Sequence, residues 1–196
     1  MKEYKLPIGC DVPETIILAD GDFPSHPLAL EWLRQCPYVV CCDGAANTYI
    51  RSGRMPEAIV GDGDSLLPDI KERYASLIHS EAEQETNDLS KAFRFCLSQE
   101  RKRITIMGAT GKREDHTIGN VSLLADYMEQ AEVSMMTDYG IFVPIREDSM
   151  FESYIGQQIS VFNMNSTALS AEGLAYPLSV FTNWWQGTLN EALARH

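Results

Sequence analysis

Ala58-Ile59-Val60-Gly61-Asp62-Gly63-Asp64-Ser65, with Pro68 three residues further on, is the stretch from which the fold of this chain can be read. The apolar run 58–60 reads as the end of a buried strand. Pro68 suits the first position of a helix, so the residues between form a strand-to-helix loop. Two glycines let the backbone approach whatever lies there. Two carboxylates, one residue apart, point into one small space and repel each other unless a cation holds them. Carboxylate oxygens are hard ligands suited to Mg²⁺, which takes one or two of them together with phosphate oxygens. An isolated Asp-x-Asp is as readily a solvated acidic turn, and the rest of the chain decides between the two.

The same alternation repeats on either side of this stretch. Thr15–Ala19 is a strand running into Asp20-Gly21-Asp22. Leu28, Trp32 and Leu33 mark a helix. Tyr38–Cys42 is a second strand, apolar throughout as in a strand buried on both faces, and it opens into Asp43-Gly44-Ala45-Ala46-Asn47. A helix from Pro68 covers Ile70, Tyr74 and Leu77. Thr86 is placed to cap a helix whose Leu89, Phe93, Cys96 and Leu97 share a face. Arg103–Met107 is a strand ending in Gly108-Ala109-Thr110-Gly111. Ile118, Val121, Leu124 and Met128 line one more helix, and Val133–Met136 is a further strand. Strand-helix alternation of this kind predicts a parallel sheet covered on both faces, with function-bearing loops at the carboxyl ends of the strands. Asp22, Asp43, Asp62, Asp64 and the Gly108–Asp115 loop all follow predicted strands, and that convergence argues for one shared site.

Past Tyr139 the helical period disappears. Ile141–Ile145, Gln158–Phe162 and Leu178–Thr182 are short apolar or alternating runs separated by turn residues, which predicts a small antiparallel β region. The expected division is residues 1–138 and 139–196. About sixty residues make a small independent core, so the second region is expected to pack on the first or on a partner chain.

The chain of 196 residues is 44% hydrophobic and carries a net charge of −12. With no Lys/Arg cluster to offset that charge, nucleic acid is not an expected partner. No apolar run approaches the ~20 residues that span a bilayer, and Met1–Pro7 lacks the apolar core of a signal peptide. Five cysteines without metal-site spacing read as reduced, buried residues of a cytoplasmic protein.

Several constellations bear on chemistry. Asp88 sits in the first turn of its helix, where a carboxylate also stabilises the helix dipole, and Glu83 and Glu85 crowd the same loop. Lys91, one turn on, is within reach of a phosphate or is a solvated helix charge. Gly108–Arg113 joins flexible backbone and two cations ahead of a helix, a loop able to cradle phosphates, although it is neither a Walker A nor a dinucleotide fingerprint. His116 and Asn120 share a helix face. Trp184, Trp185 and Tyr176 offer either packing or a stacking surface.

Taken together these motifs resemble the thiamine pyrophosphokinase family. The carriers are Cys42–Asn47, Gly61–Ser65, Asp88-Leu89-Ser90-Lys91-Ala92, Gly108–His116 with Asn120, Gly173–Leu178 and Leu189-Asn190-Glu191, in the family's order along nearly the whole chain. The resemblance implies a Rossmann-like α/β catalytic domain, a C-terminal antiparallel β-sandwich, and a homodimer with thiamine bound between subunits. It implies transfer of the diphosphoryl group of ATP to the thiamine hydroxyl, with release of AMP. Asp43, Asp62, Asp64 and Asp88 would hold Mg²⁺, and Asp64 or Asp88 would accept the hydroxyl proton. Gly21, Asp22, Asp43, Asn47, Lys91, Gly108, Gly111 and Arg113 would bind ATP. Asp115, His116, Asn120, Tyr176, Thr188 and Asn190 would bind thiamine.

The chain departs from the family pattern at Gly63, usually Phe; at Ala45, commonly Gly; at Asn87, usually Thr; at Lys112, commonly Gly; and at Leu189, usually Ser. A metal-dependent phosphohydrolase with an Asp-x-Asp nucleophile is a different reading, although the best-known such fold carries the motif after its first strand. A non-catalytic ligand-binding module of the same fold is a third.

Overall fold

The computed structural model describes residues 1–7, 9, 11–81, 85–164, 166, 169–178 and 187–193. It divides into two compact units, residues 8–144 and residues 1–7 with 145–196.

The larger unit is an α/β sheet of seven strands. In chain order its elements are β2 (Thr15–Leu18), α1 (Pro27–Gln35), β3 (Val39–Cys42), α2 (Ala45–Arg51), β4 (Ala58–Gly61), α3 (Pro68–Arg73), β5 (Ile78–Ser80), α4 (Asp88–Ser98), β6 (Arg103–Met107), α5 (Glu114–Tyr127), β7 (Glu132–Met136) and β8 (Ile141–Phe142). β1 (Lys2–Tyr4) belongs to the smaller unit. The sheet order is β5-β4-β3-β2-β6-β7-β8, parallel except for β8 at one edge.

The period-two pattern of the strands sorts the core into two layers. Ile17, Val40, Val60, Ile106 and Met135 face one side, against Leu89 and Phe93 of α4 and Leu124 and Tyr127 of α5. Ile16, Leu18, Cys41, Ile59 and Met107 face the other, against Trp32 and Leu33 of α1, Ala46 and Tyr49 of α2 and Ile70 of α3. Both faces are covered, which is why β2, β3 and β4 contain no exposed position. The described cysteines are free thiols, and burial pushes Cys41 and Cys42 well above the usual thiol range.

Three details differ from the sequence reading. Asn87, not Thr86, caps α4: its Oδ1 accepts the Ser90 N–H at 2.9 Å, while Thr86 accepts from Arg94. The helix expected from Pro68 to cover Leu77 ends at Arg73, and Ile78–Ser80 beyond it is the edge strand β5 beside β4. Ile141–Phe142 belongs to the large sheet, because the Thr137–Gly140 turn folds β8 back antiparallel onto β7. The larger unit therefore runs to Pro144.

In the smaller unit β1 pairs with β9 (Ser149–Phe151) in parallel, with Tyr4 stacked on Phe151 at 4.7 Å between ring centroids. β10 (Gln158–Val161) and β11 (Gly187–Glu191) form a small antiparallel sheet, interrupted by an irregularity between Ile159 and Val161. The β1–β9 pairing was not legible in the sequence, since its two strands lie far apart along the chain. The predicted strand at Leu178–Thr182 falls, from residue 179 onward, outside the described residues, as do Glu83, Trp184 and Trp185.

No described helix is long and apolar enough to cross a membrane.

Candidate active site

Strand register brings four loops to one edge of the sheet. Leu18 lies opposite Cys41 on β3 and Met107 on β6, and Cys42 lies opposite Val60 on β4. The next residues, Ala19–Gly21, Asp43, Gly61 at the end of β4 and Gly108, therefore lie side by side at that edge. Chain order reverses between β2 and β6, and in open α/β sheets ligands bind at such a switch point.

The acidic part of the site is built around Gly61. A β-carbon at this position would lie 2.8 Å from Cβ of Asp43 and 3.3 Å from Cγ of Asp88, so the glycine is what lets the two carboxylates come together. Asp43 is 4% exposed and sits at φ +33, a left-handed conformation that Asp tolerates better than most residues. Its Oδ2 accepts the Ser65 N–H at 2.9 Å; its Oδ1 is buried without a hydrogen-bond partner. Burial raises the pKa of Asp43, and the charges of Asp88 and Asp62 raise it further, against the lowering effect of the Ser65 bond.

The Asp-x-Asp loop is held from several sides. Asp62 Oδ1 accepts the Asp64 N–H at 3.0 Å, an Asx turn that leaves Asp64 exposed and Asp62 half-buried. Gly63 has φ +76, which explains a glycine between the two aspartates, and Lys71 donates to its carbonyl at 2.9 Å. Asn47 commits both ends of its amide to the following segment, donating to Ser65 O at 2.8 Å and accepting from Leu67 N at 3.0 Å. Lys91, only 3% exposed, reaches Asp88 Oδ1 at 3.2 Å and is a cation of this acidic cluster.

Among the described residues no three His, Cys, Asp or Glu side chains form a closed metal cage. The donor set nevertheless fits a hard cation completed by ligand oxygens: an orphaned buried carboxylate oxygen on Asp43, with Asp88 and Asp62 close enough to perturb it.

The second half of the site is the cleft at the switch point, a cavity of about 190 Å³ lined by residues 19–23, Ala45, Thr48 and Lys112. Backbone bonds tie its two loops together: Gly21 N donates to Gly108 O at 2.6 Å and Asp22 N to Thr110 O at 2.8 Å. A side chain at Gly111 would run into the Asp22 carboxylate. The far end of the β2 loop is fixed by Asp138, which accepts from Ser25 N and His26 N at 2.9 Å each. Asn120, buried midway along α5, donates to Ala109 O at 2.8 Å and accepts from Asn87 at 3.1 Å. Arg113 forks onto Asp115 (Nε–Oδ1 3.1 Å, Nη2–Oδ2 2.5 Å), and this holds the Asp115 carboxyl below the usual range. His116 is exposed beside them.

In the smaller unit Asn190 is 3% exposed and holds the Tyr176 backbone, accepting from its N–H at 3.1 Å and donating to its carbonyl at 2.8 Å. Tyr176 itself is exposed, and Thr188 is half-buried. Leu189, at the family's serine position, lies at φ +61 and is 83% exposed.

The sequence does not mark Asp20, Phe23 and Thr48 as cleft residues. Lys112 left a trace, as one of the two cations of the Gly108–Arg113 loop and as an unexpected residue at a position commonly Gly.

A family model described as thiamin pyrophosphokinase, catalytic domain, matches residues 29–136, and one described as its substrate-binding domain matches residues 140–196. Over 129 residues the chain is 30% identical to thiamine pyrophosphokinase 1 of Oryza sativa subsp. japonica, covering 53% of this chain and 49% of that one. It is 34% identical over 86 residues to thiamine pyrophosphokinase of Bacillus subtilis (strain 168), covering 42% of this chain and 40% of that one. The chain thus spans about half the length of the rice relative it matches. The solved thiamin pyrophosphokinase from Candida albicans shares the fold with a TM-score of 0.76 at 18% identity, over 99% of this chain and 87% of that one. The structure of thiamine pyrophosphokinase from Bacillus subtilis gives 0.64 at 19% identity, over 92% and 91%.

Proposed function

This chain belongs to the thiamin pyrophosphokinase family, and from that premise we propose that it transfers the diphosphoryl group of ATP to the hydroxyl of thiamine. The observation that carries the reading is the unpartnered, buried Oδ1 of Asp43 beside Asp88, at the carboxyl edge of a parallel sheet. A carboxylate left in that state is a site for a hard cation, and phosphoryl transfer is chiefly positioning and charge neutralisation.

Asp43, Asp62 and Asp88, with Asp64 at the rim, would hold Mg²⁺. When bound, the ion neutralises charge on the phosphate oxygens and fixes their geometry. The chain's own residues do the rest. The thiamine oxygen attacks the β-phosphorus of ATP as its O–H bond breaks. Asp64 or Asp88 accepts the proton. The bond between the β-phosphorus and the bridging oxygen to the α-phosphorus breaks, and AMP leaves with that electron pair.

Gly21, Asp22, Gly108 and Gly111 form the nucleotide wall. Arg113 is a phosphate ligand. Lys91 acts through Asp88, which it holds and neutralises, and Asn47 acts by bracing the acidic loop. Asp115 faces the aminopyrimidine of thiamine, with His116 beside it. Asn120 positions the Gly108–Gly111 loop. Tyr176 supplies an aromatic contact, fixed by Asn190 with Thr188 nearby. The two family regions act as catalytic and thiamine-binding domains of a cytoplasmic homodimer whose sites are shared between subunits.

The test is AMP formation from Mg-ATP with and without thiamine. Thiamine-dependent AMP and thiamine diphosphate in equal amounts are expected. Inorganic phosphate released from ATP without thiamine would instead make the protein a phosphohydrolase.

A further inference from the structure

We propose that Lys112 is a phosphate-binding and specificity-determining residue of the switch-point cleft, which takes a nucleoside polyphosphate with its phosphate chain toward that ammonium. The ligand class rests on the nucleotide-dependent reaction proposed above; the role of Lys112 rests on its own geometry.

Lys112 has φ +56. A glycine adopts this left-handed conformation freely, whereas a residue with a β-carbon is strained there, and such strain concentrates at functional sites. The side chain turns back across the cleft mouth: Nζ donates to the Asp20 carbonyl at 2.8 Å and meets Asp20 Oδ1 at 3.2 Å. An ammonium has three donors, so these two contacts orient the group and leave one N–H for a ligand. The side chain remains 54% exposed, so a ligand can reach it.

The cleft needs this charge. Asp20 and Asp22 line it and repel phosphate, and Lys112 is the cation among its described lining residues. Arg113, the neighbouring cation, is turned away onto Asp115. Ala19, Phe23, Ala45 and Thr48 supply apolar and hydroxyl surface of the kind that accepts a nucleoside. The cleft is therefore selective by construction. A neutral nucleoside gains little from Lys112, and each added phosphate gains more.

The experiment is calorimetric binding of adenosine, AMP and ATP in Mg²⁺ buffer, without thiamine, to the wild-type chain and to Lys112→Met and Lys112→Gly. For both variants adenosine affinity should hold within about twofold, while ATP affinity falls roughly tenfold, as for a charge-assisted hydrogen bond lost to solvent, and AMP lies between. Lys112→Gly should also melt higher, because the strained β-carbon is gone. Unchanged ATP affinity in both variants would overturn the proposal. So would an equal loss for adenosine and ATP, which would make Lys112 a strap that only shapes the cleft.

The outcome is separable from that of the proposed reaction. Lys112-dependent ATP binding by a chain that forms no AMP would overturn the reaction and leave this site standing. Thiamine diphosphate formation by Lys112→Met with unchanged ATP affinity would do the reverse.

Discussion

Ser65 donates its backbone N–H to Asp43 Oδ2 at 2.9 Å and leaves Oδ1 of the same carboxylate buried with no partner. The bond joins the loop after β3 to the loop after β4 and aims one carboxylate at the space beside Gly61. Half of that carboxylate is thus structural. The other half is a cost to the fold until a cation arrives.

Asp43→Asn should therefore raise the melting temperature of the metal-free protein by a few degrees while removing most turnover. The amide oxygen can still accept from Ser65, and Asn tolerates φ +33 well. Asp43 is protonated more readily in the folded than in the unfolded chain, because burial and the Asp88 and Asp62 charges raise its folded pKa. Stability from this group is thus lost as pH rises from the ordinary carboxylate value, about 3.9, through the raised one, and stays lost above it. The stability difference between variant and wild type should grow across that window and then level off. Calorimetry from pH 3 upward, without divalent cations, checks this. A variant that melts lower than wild type at neutral pH would contradict it.

Asp62→Asn and Asp64→Asn each remove a charge from the proposed cation site, and each should lower turnover by about 10²–10³, as expected for loss of one preorganised charge. They differ structurally. Asp62 also closes the Asx turn through Asp64 N–H, which an Asn oxygen can still accept, so both variants should fold normally. Steady-state rates at saturating Mg²⁺, with circular dichroism as the folding control, separate loss of charge from loss of structure. Near-normal rates in either variant would remove that residue from the site.

Gly61→Ala tests the spacing of the acidic pair. The added methyl would lie 2.8 Å from Cβ of Asp43, closer than real β-carbons come, so the loops after β3 and β4 must part. Overpacking of this kind costs about 1–3 kcal/mol. Destabilisation in denaturant should accompany a loss of Mg²⁺-dependent turnover. An active Gly61→Ala protein of wild-type stability would mean that Asp43 and Asp88 need not sit together.

Much of this site was legible because loops after buried parallel strands reach one edge of a sheet. Once Val39–Cys42, Ala58–Gly61 and Arg103–Met107 are read as strands, the positions of Asp43, Asp62 and Gly108 follow. Contacts made by side chains over long sequence separations were not legible. The resemblance marks Asn47 as an ATP contact, but nothing local signals that its amide clamps Ser65 and Leu67, 18 and 20 positions away. Asn190 reads as a ligand contact, yet it holds the Tyr176 backbone. The β1–β9 pair joins residues 2–4 to residues 149–151 across a long stretch of chain, and no local periodicity signals that.

Arg113 and Asp115 form an exposed bidentate pair. Under the proposed function Asp115 recognises the aminopyrimidine of thiamine and Arg113 a phosphate, so binding of both substrates must open the fork. Asp115→Ala deletes the thiamine contact and frees Arg113. Loss of that charged hydrogen bond should raise the thiamine KM roughly tenfold or more. The freed guanidinium no longer has to leave a carboxylate, so the ATP KM should stay level or fall slightly, because an exposed pair contributes little. The two constants move apart, which simple damage to the loop would not produce. Steady-state kinetics with each substrate varied in turn makes the measurement. A raised ATP KM with thiamine KM unchanged would move Asp115 to the phosphate side and remove it from thiamine recognition.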